Sequence, residues 1–291
     1  MSKILIIGAS GNIGGRVVSQ LASKGARVRA MLRKPEAAAL PREVEIVRGD
    51  LTIPESLDRC LDGVDMVFLV WVAPEEAAAP ALARMAKQAR RIVFLSAPLQ
   101  TPHPFFQQSN ASRARAERIE RLIEEGGMAW TILRPGMFAG NSIGFWARQI
   151  RAGLPVRWPY LQTPTAPIDE RDIAAVAVRA LCEEGHSGLD YVLTGPESLT
   201  QFQQISTIGR AIGRTLTIEE MAPETAEAEL ETLIGPVARV LLDAWRAAAG
   251  QPAFVSNEFT EITGLAPRSF SEWAADHGAA FQDFDRAVSL R

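Results

Sequence analysis

The stretch that most constrains this chain is Lys3–Gly15, KILIIGASGNIGG. An apolar run, Ile4–Ile7, leads into Gly8, Gly11 and Gly14, spaced G-x-x-G-x-x-G. Beyond them Ile13, Val17, Val18 and Leu21 recur at helical spacing. Strand, glycine turn and helix in that order make a cradle for a pyrophosphate. Gly8 permits the tight turn, Gly11 lets backbone approach the phosphates, and Gly14 lets the helix pack close to the strand. The helix N-terminus adds unsatisfied N–H groups and the positive end of a dipole. Ser10 and Asn12 can contribute side-chain donors. A plain strand-to-helix turn does not need three glycines at this spacing, so the motif predicts dinucleotide binding.

The rest of the chain has to supply a sheet around that strand. Val28–Leu32, Val44–Val47, Asp65–Val72, Arg91–Leu95 and Ala129–Leu133 read as strands. DMVFLVWV is apolar almost throughout, as a parallel strand covered on both faces should be. Between the strands, Pro54–Leu61, Pro74–Ala89 and Ser109–Glu125 read as helices. The alternation predicts an α/β fold with a doubly wound parallel sheet. Ligands of such sheets lie beyond the carboxyl ends of the strands. The second half is less regular. Helices are expected at Asp172–Cys182 (with Asp172 as N-cap), Leu199–Ile212, Ala222–Ile234, Pro236–Ala249 and Phe270–Phe281. Short strands are expected at Tyr191–Thr194 and Leu216–Glu219. The organisation implied is a nucleotide-binding domain over residues 1–153 and a smaller, mostly helical substrate lobe over 154–291, partly interleaved with the first.

Composition narrows the partners. With 291 residues, 47% hydrophobic and 22% charged, the chain has material for a full core. A net charge of −3 gives no basic field for nucleic acid. Cys60 and Cys182 form neither a disulfide framework nor a metal-ligand cluster. No apolar run approaches the roughly 18 residues of a membrane span. The first strand begins at once, leaving no room for a signal peptide, so the cytoplasm is the expected location. The expected state is monomer or homodimer.

Two positions discriminate the cofactor. A site for NAD carries Asp or Glu at the end of strand two. Here Arg33 and Lys34 stand there. A guanidinium pairs with a phosphate bidentately, so NADP(H) is expected over NAD(H). Asp50, ending strand three, can accept from an adenine amino group, with Leu51 packing on the ring.

GASGNIGGRVV, LRKP, GDLTIPESLDRCLDGVDMVFLV, WTILRPGMFAGN, TGPESLT and RSFSEWAADHGAAF together resemble the NmrA-like group of atypical short-chain dehydrogenases/reductases, from Lys3 to Phe281. The family includes NADPH-dependent quinone and ketone reductases, tailoring enzymes of aromatic natural products, and redox-sensing regulators without turnover. The resemblance implies that Gly8, Ser10, Gly11, Asn12 and Ile13 hold the pyrophosphate, Arg33 the 2′-phosphate, and Asp50 and Leu51 the adenine. It implies that Val70 and Trp71 lie near the nicotinamide ribose, and Pro135 to Phe138 near the nicotinamide.

The departure from the superfamily is the acid. Its standard members use Tyr-x-x-x-Lys, and this chain has only Tyr160 and Tyr191, followed four residues later by Pro164 and Gly195. The usual pair falls near Ala111 and Arg115, and strand five ends Ser96-Ala97-Pro98. Arg115 can bind ribose hydroxyls but stays protonated. His103, in the TPHPFF loop, is the candidate proton donor by its ordinary pKa. A conjugated acceptor needs no protein acid, because water can protonate a stabilised anion. Phe105, Phe106, Phe138, Phe145, Trp146 and Trp158 are candidates for a flat aromatic pocket. The expectation is an NADP(H)-dependent oxidoreductase acting on a quinone, ketone or aromatic polyketide-like substrate. The alternatives are a non-catalytic NADP sensor and a tailoring enzyme with O2-dependent or rearrangement chemistry.

Overall fold

The computed structural model describes residues 2–37, 40–99, 101–108 and 111–282. The chain runs β1 (Lys3–Ile7), α1 (Asn12–Ser23), β2 (Arg27–Leu32), β3 (Glu45–Arg48), α2 (Ser56–Leu61), β4 (Met66–Val70), α3 (Ala78–Gln88), β5 (Arg91–Leu95), α4 (Ala111–Glu124) and β6 (Ala129–Pro135). It continues α5 (Asn141–Arg151), β7 (Val156–Trp158), β8 (Pro164–Thr165), α6 (Glu170–Cys182), β9 (Leu189–Leu193), β10 (Leu199–Thr200) and α7 (Gln201–Ala211). The last elements are β11 (Ile218–Glu220), α8 (Pro223–Ile234), α9 (Val237–Ala248), α10 (Glu258–Thr263) and α11 (Phe270–Asp276).

Seven strands form one sheet in the order β3-β2-β1-β4-β5-β6-β9, and every neighbouring pair is parallel. In register, Ile7 faces both Met31 and Leu69, Val70 faces Leu95, and Pro135 faces Leu193. All carboxyl ends therefore share one edge. On one face the apolar stripes of α1 and α6 meet, through Val17, Val18, Leu21, Ile173 and Ala177. On the other, Leu57, Leu82, Met85, Ile119 and Ile123 bring in α2, α3 and α4. The doubly wound sheet is the Rossmann-like architecture expected, with a helical C-terminal region.

A second core gathers α5, α7, α8, α9 and α11 around Trp146, Trp158, Trp245 and Trp273, each no more than 1% exposed. Its helices start where the sequence supplies caps. Thr200 and Gln203 form a capping box on α7, and Ser269 and Glu272 form one on α11.

Several local expectations are corrected. Asp172 is not the cap of α6. Asp169 is, with its side chain accepting from the Arg171 N–H at 2.8 Å, while buried Asp172 pairs with Arg268. Within 154–291, α6 packs against α1 and β9 pairs with β6, so these two elements lie with the large sheet. The 66–70 strand stops at Val70, two residues early. The helix 141–151, not expected from the sequence, packs in the second core through Phe145, Trp146 and Ile150. Ser109 lies outside the described residues.

Candidate active site

Two cavities open on the carboxyl edge of the sheet. The first, about 350 Å³, lies beyond β1 to β4 and is lined by Gly8, Ser10, Gly11, Arg33, Asp50 and Val70, among others. The glycine turn makes its floor. Gly8 has φ +91°, and a Cβ there would meet the Val70 side chain at 2.8 Å. At Gly14 a Cβ would fall inside 3.0 Å of the Gly8 carbonyl, so helix and turn touch backbone to backbone. Gly11 is the N-cap of α1 and carries no capping side chain. The first N–H groups of α1 are thus left for an anion.

Arg33 is exposed on the rim of this cleft. Asp50 accepts the Thr52 N–H at 2.9 Å and its hydroxyl at 2.8 Å, both on Oδ1. These bonds, with Arg33 nearby, hold its carboxyl below the ordinary aspartate value. The Thr52 bonds leave room for an adenine amino group, since Oδ2 takes neither of them. Leu51 is buried and still lines the cleft. A floor of backbone N–H groups, a rim guanidinium and a carboxylate beside an apolar wall fit a nicotinamide dinucleotide.

Three expected contacts differ. The Asn12 side chain is committed elsewhere: its Nδ2 donates to Glu170 Oε1 at 3.0 Å and its Oδ1 accepts from Arg16 Nε at 3.2 Å. Ile13 is buried in the core, so only its backbone faces the turn. Trp71 is 9% exposed and packs among Leu69, Leu82 and Met85, whereas Val72 is 66% exposed and lines the cleft. Successive side chains past β4 point to opposite sides, so Val70 and Val72 share the ligand side and Trp71 does not.

The second cavity, about 260 Å³, lies beyond β5 and β6. Pro135, Gly136 and Met137 form one wall, Ala97 to Leu99 another, and Phe105 and Phe106 a third. Val240, Leu241 and Ala244 of α9 close it from the second core. The α9 residues went unrecognised from the sequence. The signal was there: α9 already spends Ala238, Leu242 and Trp245 on its own core, so its apolar stripe is wider than one core needs.

Other pocket candidates are corrected. Phe138 pairs with Ile168 by a β-bridge and packs on the sheet core. Trp146 and Trp158, at 5.8 Å between ring centroids, form a buried aromatic cluster with Phe145 and Trp245. These rings hold the second core together and line neither cavity.

The proton-donor candidates fare differently from what the loop position suggested. His103 has both ring nitrogens engaged by backbone: Nδ1 accepts from Phe105 N–H at 3.2 Å, and Nε2 lies 2.9 Å from the Pro252 carbonyl. It fastens the loop that carries Phe105 and Phe106. Arg115 is exposed and is not among the described residues that line either cavity. Arg113, two residues earlier and about 200° round the helix, lines the second cavity instead. Its guanidinium donates to the Phe106 carbonyl at 2.9 Å and pairs with Glu117 at 3.0 Å. Ser96 donates its hydroxyl to Glu120, which is buried in an ion pair with Arg134. Tyr191 bonds His186 at 2.8 Å, and burial pushes its phenol up. Tyr160 packs on the second core.

The family model described as NAD(P)H-binding matches residues 8–184. Over 283 residues the chain is 37% identical to a (4-alkanoyl-5-oxo-2,5-dihydrofuran-3-yl)methyl phosphate reductase of Streptomyces griseus, covering 96% of this chain and 99% of that protein. It is 32% identical to an NAD(P)H azoreductase of Xenophilus azovorans, covering 96% and 99%. In fold it matches an Escherichia coli NADPH-dependent quinone oxidoreductase complexed with NADPH, with TM-score 0.80, 21% identity, and 94% and 99% of the two chains covered. The chain belongs to the NAD(P)H-binding family.

Proposed function

We propose that this protein is an NADPH-dependent reductase of a conjugated, electron-poor acceptor, such as a quinone or an unsaturated lactone. The observation that carries this reading is the second cavity. Among the described residues its lining side chains are apolar apart from Gln108 and Arg113, and none of them is a carboxylate or a histidine. An acceptor held there has to be apolar and flat enough to lie among Phe105, Phe106 and Leu241, and it has to accept a hydride without a proton from the protein. Conjugated acceptors meet that condition, because the charge left after reduction is delocalised and is quenched by water.

Bound NADPH supplies a hydride. The chain's residues do the rest by position. The glycine turn and the first turn of α1 hold the pyrophosphate, Arg33 the 2′-phosphate, and Asp50 with Leu51 the adenine. Pro135 to Met137 floor the space in which donor and acceptor meet. The α9 helix walls that space on the side of the second core. Holding the two reactants in contact is worth far more than a single acid when the acceptor is activated. Arg113 suits an acceptor with an acidic substituent, and the Streptomyces griseus relative is named for a phosphate ester.

The relatives named above support this reading: a dihydrofuranone, an azo compound and a quinone are all conjugated acceptors. The test is NADPH oxidation followed at saturating cofactor with a panel of quinones, dihydrofuranones and simple ketones. Turnover of the conjugated members with simple ketones at background is expected. Faster reduction of simple ketones overturns the reading. Tight NADPH binding with no turnover on any acceptor selects the sensor instead.

A further inference from the structure

Glu170 opens α6 and is 0% exposed. Its acidic neighbours have cation partners, Asp169 in Arg171 and Asp172 in Arg268. Glu170 is spent otherwise. Its Oε1 accepts the Asn12 side-chain amide at 3.0 Å and the Gly140 backbone N–H at 2.9 Å. Its Oε2 is buried with no hydrogen-bond partner among the described residues. A carboxylate buried on these terms destabilises a fold, and an apolar side chain is the stabilising choice. Stability alone therefore does not account for Glu170.

What the carboxylate joins does account for it. Asn12 is the first helical residue after the glycine turn, and Gly140 caps α5 at the end of the segment that begins with Pro135. The Asn12 amide is oriented from its other side by Arg16, so its N–H is left facing Glu170. Gly140 has φ −62° and ψ −19°, a helical conformation open to any residue. Only space demands glycine there: a Cβ would fall inside 3.0 Å of Glu170 Oε1. The carboxylate and the missing Cβ are two halves of one contact.

We propose that Glu170 is a positioning residue, whose carboxylate fixes the glycine turn against the 135–140 segment and so sets how the cofactor meets the acceptor. The proposal rests on the reading of both cavities given above. Two observables separate the two segments: the NADPH dissociation constant reports the turn, and the hydride-transfer rate at saturating NADPH reports the 135–140 segment.

The test measures both, with the thermal midpoint of the cofactor-free protein, in Glu170→Ala, Glu170→Gln, Asn12→Ala, Gly140→Ala and the pairs with Glu170→Ala. Glu170→Ala is expected to weaken NADPH binding about tenfold and to slow hydride transfer by about tenfold or more, the scale of a misplacement well under 1 Å to about 1 Å. Glu170→Gln, which keeps an acceptor oxygen, is expected to stay within about threefold on both. In the Asn12→Ala background, loss of Glu170 is expected to weaken binding less than about twofold further, because the contact is already gone. Gly140→Ala is expected to slow hydride transfer, and Glu170→Ala to relieve that loss in the double variant. If Glu170→Ala is unfolded, Gly140→Ala and its response to Glu170→Gln carry the test. Glu170→Ala folded with both constants within twofold of wild type overturns the proposal, as does strict additivity with Asn12→Ala. Wild type failing to bind NADPH overturns the cofactor reading itself, a different outcome.

Discussion

The cleft beyond β1 to β4 and the cavity beyond β5 and β6 share one sheet edge but are made of different material. The floor of the cleft is backbone. Gly8 and Gly14 bring main chain to main chain, and the first turn of α1 presents its N–H groups. Its side-chain parts, Arg33, Asp50 and Leu51, sit within a few residues of strand ends. The cavity is made by segments far apart in sequence: 97–99, 105–108 with Arg113, 135–137 and one face of α9. The difference teaches where each is vulnerable. A backbone site fails when a Cβ is added. A side-chain site changes its preference when one wall is trimmed.

The sharpest way to break the comparison is Gly14→Ala. A Cβ inside 3.0 Å of the Gly8 carbonyl has no flexible neighbour to move. Overpacking of about 3 kcal/mol is expected, and with it an NADPH affinity about a hundredfold weaker in a fluorescence titration. Normal binding in a folded variant would mean that the turn is not the phosphate site. Next comes Arg33→Ala. Losing a charge-assisted phosphate contact is expected to cost about 1.5–3 kcal/mol for NADPH and nothing for NADH, so the ratio of the two dissociation constants is the readout. Equal losses with both cofactors would remove Arg33 from the 2′-phosphate.

On the cavity side, Leu241→Ala trims the α9 wall. About 1–2 kcal/mol of apolar contact is expected to appear as a KM for the conjugated acceptor raised about tenfold, with NADPH affinity unchanged. A matching loss of NADPH affinity would mean that the two sites are one. His103→Ala sharpens the same side. Two hydrogen bonds to backbone are lost, about 1–3 kcal/mol of stability in a denaturant titration, while turnover on a conjugated acceptor stays within about tenfold. A hundredfold loss of turnover in folded protein would restore His103 as an acid.

The smallest effect concerns Asp50. Its folded-state carboxyl titrates below the ordinary aspartate value, held there first by the Thr52 N–H. A depressed pKa contributes stability above the unfolded-state value, near 3.9, and that contribution is lost as pH falls through the folded value. Asp50→Asn is therefore expected to lower the thermal midpoint slightly at neutral pH and to leave it unchanged at strongly acid pH. A midpoint difference that grows on acidification would contradict the sign.

The two regions were also unequally legible. The glycine turn, the ends of β2 and β3, and the parallel strands are local patterns, and local patterns carry their own physics: periodicity, glycine spacing, charge at a strand end. The cleft was read from them almost whole. Trp71 was placed by the resemblance, which does not say which way a side chain points; alternation past Val70 turns Trp71 away from the side that Val70 and Val72 share. The aromatic residues were misassigned for a deeper reason. Phe138, Trp146 and Trp158 have the composition of a ligand pocket and of a core alike, and only packing separates the two. Here Phe145, Trp158 and Trp245 claim the second core, so the cavity falls to Phe105, Phe106 and α9.

The sequence by itself determined that a strand–glycine turn–helix begins a parallel sheet, that a cation stands where an NAD site has an acid, and that the tyrosine–lysine pair is missing. Each is written in a few neighbouring residues. The tertiary structure alone decided that β9 completes the sheet beside β6, that Arg113 and not Arg115 faces the cavity, and that Glu170 meets Asn12 across 158 positions of sequence. Those outcomes depend on helix rotation, on strand order and on which apolar faces find each other first, and burial of the whole chain settles them.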